Sequence, residues 1–240
     1  MKKIGIIGGL GPESTLDYYK GIIDAFKPNY EQTGYPEICI ESVDLKTFVG
    51  YANNDEWDKV ISILAEKSDQ LKNMGCDFGV IASNTPHRVF NEIVTKTSLP
   101  LISIVETTRE YAAKCGLKKL CLMGTRFTMS SDFYQKVFNQ KNIELIVPNK
   151  EEQDYIQEKL FSEIEFGIIK DETRQGLLII YNRISRDDQI EGLILGCTEL
   201  PLILKPEHVD GAYIDPVHVD GAYIDPVALH IEKIVEYCKG

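Results

Sequence analysis

Short apolar runs that alternate with stretches of helical period constrain this 240-residue chain more than any other feature. Lys2–Ile7, Ile38–Ser42, Phe78–Ala82 and Leu101–Ile104 read as strands in the first half, and Lys119–Met123, Glu144–Val147 and Gly192–Leu195 in the second. Between them, Val60, Ile61, Leu64, Leu71 and Met74 recur at helical spacing over Trp57–Met74. Further helices are expected over His87–Thr97, through Tyr111 and Ala112, and over Ser131–Gln140, Ile156–Ile169, Thr173–Ile184 and Ala228–Tyr237. Ser14 with Asp17 resembles an acidic capping box opening a helix through Tyr18, Tyr19 and Ile22. Strands and helices alternating at these lengths predict βαβ units and parallel sheets covered on both faces.

The strand ends come in pairs. Gly79-Val80-Ile81-Ala82-Ser83-Asn84-Thr85-Pro86-His87 is nearly repeated by Leu193-Ile194-Leu195-Gly196-Cys197-Thr198-Glu199-Leu200-Pro201. Ala82 then matches Gly196, Ser83 matches Cys197 and Asn84 matches Thr198. Gly8-Gly9-Leu10-Gly11 opens one half and Gly124-Thr125, with a loop through Thr128, opens the other. The expected fold is α/β with two pseudo-symmetric lobes, each a parallel sheet flanked by helices. Residues 1–104 plus 222–240 form the first lobe and 105–221 the second. The active site is expected in a cleft that both sets of strand carboxyl ends face, where ligands of such sheets bind.

Composition removes several classes. A formal charge of −11 argues against a nucleic-acid partner, because no basic stripe exists to neutralise phosphates. No apolar run approaches the ~20 residues of a membrane span. Met1-Lys2-Lys3 resembles the charged start of a signal peptide, but the apolar region after it is too short, so the cytoplasm is expected. None of the cysteines (Cys39, Cys76, Cys115, Cys121, Cys197 and Cys238) forms a CxxC pair. All but Cys197 are read as reduced, buried apolar residues.

His208–Val217 is repeated letter for letter at His218–Val227. One tandem ten-residue copy is no solenoid. A recent duplication, or a cloning or sequence error, explains it. One copy is expected to lead into the last helix and the other to form an extra surface loop.

Gly8-Gly9-Leu10-Gly11 does not fit the dinucleotide pattern GxGxxG. Its glycines instead suit backbone amides approaching a small carboxylate, with a plain tight turn as the bland alternative. His87 reads as a hydrogen-bonder behind the site. No His, Asp and Glu cluster has ligand spacing, so no metal is expected. A Ser83/His87 hydrolase triad is disfavoured, since no GxSxG elbow is present. Asn84, Thr85, Thr125, Thr128 and Thr198 are each unremarkable loop residues. Around one cleft they are neutral donors for a substrate carboxylate.

Gly8–Thr15, Ser83-Asn84-Thr85-Pro86-His87 and Gly196-Cys197-Thr198-Glu199, in this order, resemble the aspartate/glutamate racemase family. The resemblance implies a cofactor-free, usually dimeric enzyme of two α/β lobes acting on a small amino acid. In it, one cysteine per lobe faces the substrate Cα; one thiolate removes the proton and the other thiol returns it. Cys197 would be the surviving acid/base, its thiolate favoured by local donors. Gly9, Leu10 and Gly11 would close the site, with Glu199 and His87 behind the reacting groups.

Ser83 stands where the first cysteine belongs, and a hydroxyl is a far weaker acid than a thiol, whose pKa is ~8.5. It is either native, with turnover reduced or asymmetric between enantiomers, or a Cys→Ser replacement made to trap substrate. Some family members hold the distal carboxylate with basic side chains. The corresponding stretches here carry Lys46 and, near the second position, Glu165. The resulting expectation is racemisation of an acidic amino acid, aspartate before glutamate. Hydantoin racemisation, maleate isomerisation and a catalytically impaired amino-acid-binding protein are the alternatives.

Overall fold

A computed structural model describes residues 1–209 and 222–240. The chain forms two compact units, Met1–Thr107 with Val227–Gly240, and Thr108–Pro226. Each carries one four-stranded sheet, and every strand pairing is parallel.

In the first unit, β1 (Ile4–Gly8), β2 (Ile38–Ser42), β3 (Phe78–Ile81) and β4 (Leu101–Ile102) lie in the order β2-β1-β3-β4. β1 and β3 are buried along their whole length, as central strands covered on both faces must be. β2, at the edge, leaves Ile40 exposed. The helix Trp57–Asn73 presses so closely on the sheet that a Cβ on Gly5 would lie 3.0 Å from Leu71 Cδ1, with the Phe78 carbonyl of the neighbouring β3 at 3.2 Å. The helix Pro12–Phe26 buries Ser14, Tyr18, Ile22 and Phe26, one stripe at four-residue spacing. Burying each of its large apolar side chains contributes roughly 1.5–3 kcal/mol.

In the second unit, β5 (Lys119–Met123), β6 (Glu144–Ile146), β7 (Gly192–Leu195) and β8 (Ala222–Ile224) repeat that order as β6-β5-β7-β8. Its core joins Cys121, Met123, Leu193 and Leu195 to Ile156, Leu160, Leu177, Tyr181 and Ile184 of the helices Lys150–Ser162 and Asp171–Asp188. The first of these helices opens on a reciprocal capping box between Asn149 and Glu152.

Several expectations need correction. Ser14 caps nothing: the helix begins at Pro12 after Gly11, and the Ser14 hydroxyl instead donates to the Ala82 carbonyl at 3.0 Å. Residues 222–226 belong with the second unit, because β8 pairs with β7, while 105–107 go with the first. The helix expected from His87 starts only at Phe90 (Phe90–Lys96), and His87 lies within a 3-10 turn, Thr85–Val89. Part of the loop expected after β5 is a short helix, Arg126–Ser130, which Thr125 caps. Ile104 begins a helix, Ile104–Lys114, rather than ending a strand.

β8 and the start of the last helix, Pro226–Lys239, come from the second copy of the repeat. The first copy from residue 210, with its expected surface loop, lies outside the described residues. Among the described residues no helix is long and apolar enough to cross a membrane, and no group of His, Cys, Asp and Glu could hold a metal ion.

Candidate active site

In the second unit, β7 runs into Gly196-Cys197-Thr198-Glu199. Gly196 N–H donates to the Met123 carbonyl at 2.6 Å, which continues the β5–β7 pairing one step past the strand. Thr128 packs over this joint. A Cβ at position 196 would sit 2.8 Å from Leu122 Cδ1, 3.0 Å from Thr128 Cγ2 and 3.1 Å from the Met123 carbonyl. A side chain there would have to push the Leu122 tip aside and crowd Thr128 and the Met123 carbonyl.

Cys197 follows, 6% exposed and packed with the core that includes Leu200 and Ile203. Its Sγ donates a hydrogen bond to Glu199 Oε2 at 2.9 Å. Burial first, and the Glu199 negative charge second, push the thiol well above its ordinary value. The expectation that local donors favour a thiolate is therefore corrected. The resting side chain is a neutral thiol whose proton already points at a carboxylate.

Thr125 and Thr128 sit beside this strand end, but their hydroxyls serve local structure. Thr125 Oγ1 accepts from Thr128 N–H at 3.4 Å and lies 3.3 Å from Thr128 Oγ1. Thr128 is buried and Thr125 half-buried. Thr198 is half-buried between Cys197 and Glu199.

Glu165 is a second carboxylate whose charge acts on Cys197, after that of Glu199. Glu165 sits on the 3-10 turn Ile164–Phe166, which packs against the short helix Leu200–Ile203. Partial desolvation, then the Glu199 charge, raise the Glu165 carboxyl to about 7. Two residues earlier, Glu163 is held low, at about 2, by hydrogen bonds from Thr173, Lys159 and Lys170. Glu163 anchors the turn, and its amide and carbonyl also bond Lys159, Phe166 and Ile168 along the backbone.

In the first unit, β3 ends at Ala82-Ser83-Asn84. Ser83, Asn84 and His87 are buried and Thr85 is half-buried. Ile104 N–H points at His87 Nε2 at 3.4 Å, and His87 Nδ1 lies 2.9 Å from the Ser83 carbonyl. The carbonyl can only accept, so Nδ1 carries the proton and Nε2 is the acceptor. Both nitrogens are occupied by backbone, which leaves none to activate the Ser83 hydroxyl and rules out the triad. Burial lowers His87 to about 4, and Phe90 stacks on it at 4.9 Å. His87 thus holds the Ser83 backbone through its carbonyl. The Ser83 hydroxyl has no hydrogen-bond partner among the described residues.

The Gly8–Gly11 loop is a tight turn closed by Thr15. Gly9 N–H donates to Thr15 Oγ1 at 2.9 Å, and Thr15 Oγ1 donates to the Gly11 carbonyl at 3.2 Å. Gly9 adopts φ 81°, and a Cβ there would lie 2.2 Å from the Val43 carbonyl. Leu10 is buried. The amide of Gly9 is thus engaged within the turn rather than offered to a carboxylate.

Sequence reasoning missed a buried pair behind this strand end. Tyr18 OH lies 2.7 Å from His230 Nδ1, and His230 Nε2 donates to the Ile102 carbonyl at 3.1 Å. Burial, with His87 nearby, lowers His230 to about 3. The signal was a lone histidine within the apolar run Val227-Ala228-Leu229-His230-Ile231.

A family model described as Asp/Glu/Hydantoin racemase matches residues 7–234. The chain is 30% identical over 205 residues to the broad specificity amino-acid racemase RacX of Bacillus subtilis (strain 168), covering 84% of this chain and 87% of that protein. The structure of an aspartate racemase homologue from Pyrococcus horikoshii OT3 is 35% identical, with 100% of both chains covered and a TM-score of 0.85. The Picrophilus torridus aspartate racemase structure, 21% identical, shares the fold at a TM-score of 0.75 over 98% of this chain and 94% of that one.

Proposed function

The chain belongs to the Asp/Glu/hydantoin racemase family and is an amino-acid racemase, an isomerase, and on that premise we propose that it works without a cofactor through Cys197. The observation that carries this reading is the buried Cys197 thiol hydrogen-bonded to Glu199 at the carboxyl end of β7. A neutral thiol is the acid form of the pair, ready to give a proton to a substrate carbanion. To act as a base it first passes its proton along the 2.9 Å hydrogen bond to Glu199 Oε2. The thiolate then takes the Cα proton, and the reverse steps return it. Glu199 in this scheme stores the displaced proton: the internal transfer leaves the dyad's charge unchanged, and when the thiolate takes the Cα proton the dyad's negative charge passes to the substrate carbanion.

Ser83 takes the opposite face of Cα in this proposal. Its hydroxyl has no basic partner, since both His87 nitrogens are committed. It relays a proton through water at best, so turnover is reduced or unequal for the two enantiomers. Thr85 and Thr198, at the strand ends and only half-buried, are the donors left for the α-carboxylate, with Asn84 beside them. Aspartate, then glutamate, are the substrates that the resemblance implies. The chemistry at Cys197 requires only the common core of an α-amino acid. A homodimer in the cytoplasm, also implied by the resemblance, completes the proposal.

Incubation of L- and D-amino acids in D₂O tests the reaction, with α-proton exchange read by NMR. Exchange that disappears in Cys197→Ser supports it. Exchange that persists in that variant, or calorimetric binding without any exchange, overturns it.

A further inference from the structure

We propose, building on the racemase reading above, that Tyr18 and His230 are positioning residues for the Ser83 side of the reaction: their hydrogen bond clamps the strand end that presents Ser83. A closed circuit of buried polar contacts within the first unit carries this. Two consecutive carbonyls at the end of β3 are each held by a side chain. The Ser14 hydroxyl donates to the Ala82 carbonyl at 3.0 Å, and His87 Nδ1 donates to the Ser83 carbonyl at 2.9 Å.

Both holders lead back to one pair. Ser14 and Tyr18 lie one turn apart on the buried stripe of the helix Pro12–Phe26. Tyr18 OH donates to His230 Nδ1 at 2.7 Å, which fixes the rotation of that helix about its axis and so keeps Ser14 on Ala82. On the other arm, His230 Nε2 donates to the Ile102 carbonyl at 3.1 Å. Two residues on, the Ile104 amide points at His87 Nε2 at 3.4 Å. Breaking the Tyr18–His230 bond therefore loosens Ala82 through the helix and Ser83 through the end of β4.

The carbonyls settle the direction of each bond, because they only accept. His230 carries its proton on Nε2, so Nδ1 accepts and the Tyr18 hydroxyl donates. Acceptance there requires a neutral ring, and burial keeps both imidazoles neutral at neutral pH. Ser14, Tyr18, His87 and His230 are all buried. Apolar side chains would fill that space with no polar atom to satisfy. A buried circuit of hydrogen bonds instead is rigid and selects one arrangement of the strand end. The Tyr18 ring also packs edge-on against His230, centroids 5.5 Å apart, so Tyr18→Phe removes the hydroxyl and keeps the packing.

The test is made in the Ser83→Cys background, where residue 83 carries a thiol, by comparing α-proton exchange of L- and D-aspartate in D₂O with and without Tyr18→Phe. The enantiomer served from the residue-83 face should slow about tenfold or more relative to the one served by Cys197, through kcat rather than KM. His230→Leu, which also frees the Ile102 carbonyl, should slow it at least as much, and adding Tyr18→Phe to it should change nothing further. Ile22→Val, on the same buried stripe but outside the circuit, is the control: it should lower Tm and leave the ratio unmoved. The ratio is taken within each protein, so partial loss of folded protein cancels. An unmoved ratio in Tyr18→Phe, an equal change in Ile22→Val, or further loss on adding Tyr18→Phe to His230→Leu overturns the inference. If neither enantiomer exchanges from the residue-83 face, the reading of the reaction fails and alkylation of the introduced thiol decides this one. Its rate with iodoacetamide, relative to that of Cys197, should then change by about threefold or more in Tyr18→Phe and not in Ile22→Val. A relative rate that Tyr18→Phe leaves unmoved overturns it.

Discussion

Cys197 Sγ and Glu199 Oε2 stand 2.9 Å apart, with the thiol as donor, two residues from one another at the end of β7. The chain turns there into the helix Leu200–Ile203, and the Leu200 amide bonds back to the Cys197 carbonyl at 3.2 Å. That turn folds the residue-199 carboxylate back over the thiol. A buried thiol next to a carboxylate resists ionisation, so abstraction by Cys197 depends on where its own proton can go.

Replacing Glu199 by Gln separates two effects. The negative charge that raises the thiol is removed, so the Cys197 pKa should fall, although burial keeps it above the ordinary value. The acceptor for its proton is removed as well, and α-proton exchange should drop by ~10²-fold or more, the usual contribution of a positioned acid or base. The pH dependence of thiol alkylation reports the first and NMR exchange the second. Exchange at the unaltered rate would remove Glu199 from the relay.

Acid should weaken the first unit through its two buried imidazoles. Burial holds His87 at about 4 and His230 at about 3, below the ordinary value of 6.5. Between 6.5 and 4 the unfolded chain binds more protons than the folded one, so stability is present above that range and is lost as pH falls through it. Each histidine should cost about 1–2 kcal/mol between pH 7 and 5. Urea denaturation at the two pH values measures this, and His230→Gln, which keeps a hydrogen-bonding side chain, should flatten the pH dependence. An equal slope in that variant would show that His230 takes no part.

Gly9→Ala tests the turn after β1. The residue needs φ 81°, and its new methyl would lie 2.2 Å from the Val43 carbonyl, a backbone atom that cannot swing aside. The expected loss is roughly 1–3 kcal/mol of stability, as for overpacking elsewhere. Thermal denaturation of the variant reads it directly. An unchanged midpoint would mean that the turn has a second conformation open to it.

β5 and β7 were legible to the residue because each is a bounded apolar run in a parallel sheet, where burial on both faces removes any polar alternation, and the partly exposed edge strand β2 because its apolar run is likewise bounded. The matched strand ends at Ser83 and Cys197 were legible for the same reason: a break in an apolar run is a local signal. What escaped was set by tertiary placement. Ser14 scans as a cap, yet it continues the buried stripe of Tyr18, Ile22 and Phe26, and there its hydroxyl meets Ala82. Thr15 scans as a helix residue and instead closes the glycine turn. The elevated Cys197 thiol comes from its burial first and the Glu199 charge second, with a smaller contribution from Glu165, 32 positions away in the sequence, and burial of that kind is announced by no local pattern.

The difference between Ser83 and Cys197 gives the last prediction. Only one of the two strand ends carries a group that can hold a negative charge, and its proton has a defined acceptor in Glu199. Ser83 has neither property: its hydroxyl is not bonded to a base, and His87 is fixed on backbone at both nitrogens. The enantiomer that turns its Cα–H to Cys197 should therefore exchange with solvent at least ~10²-fold faster than its mirror image. The resemblance assigns that enantiomer as L. Ser83→Cys should raise exchange of the slow enantiomer by a similar factor and restore two-way racemisation, because a thiol placed there ionises far more readily than a hydroxyl. Cys197→Ser should abolish exchange of both. Separate D₂O incubations of L- and D-substrate with the three proteins decide it: equal rates in the unaltered chain, or an inert Ser83→Cys variant that still binds substrate, would contradict a single base on the Cys197 face.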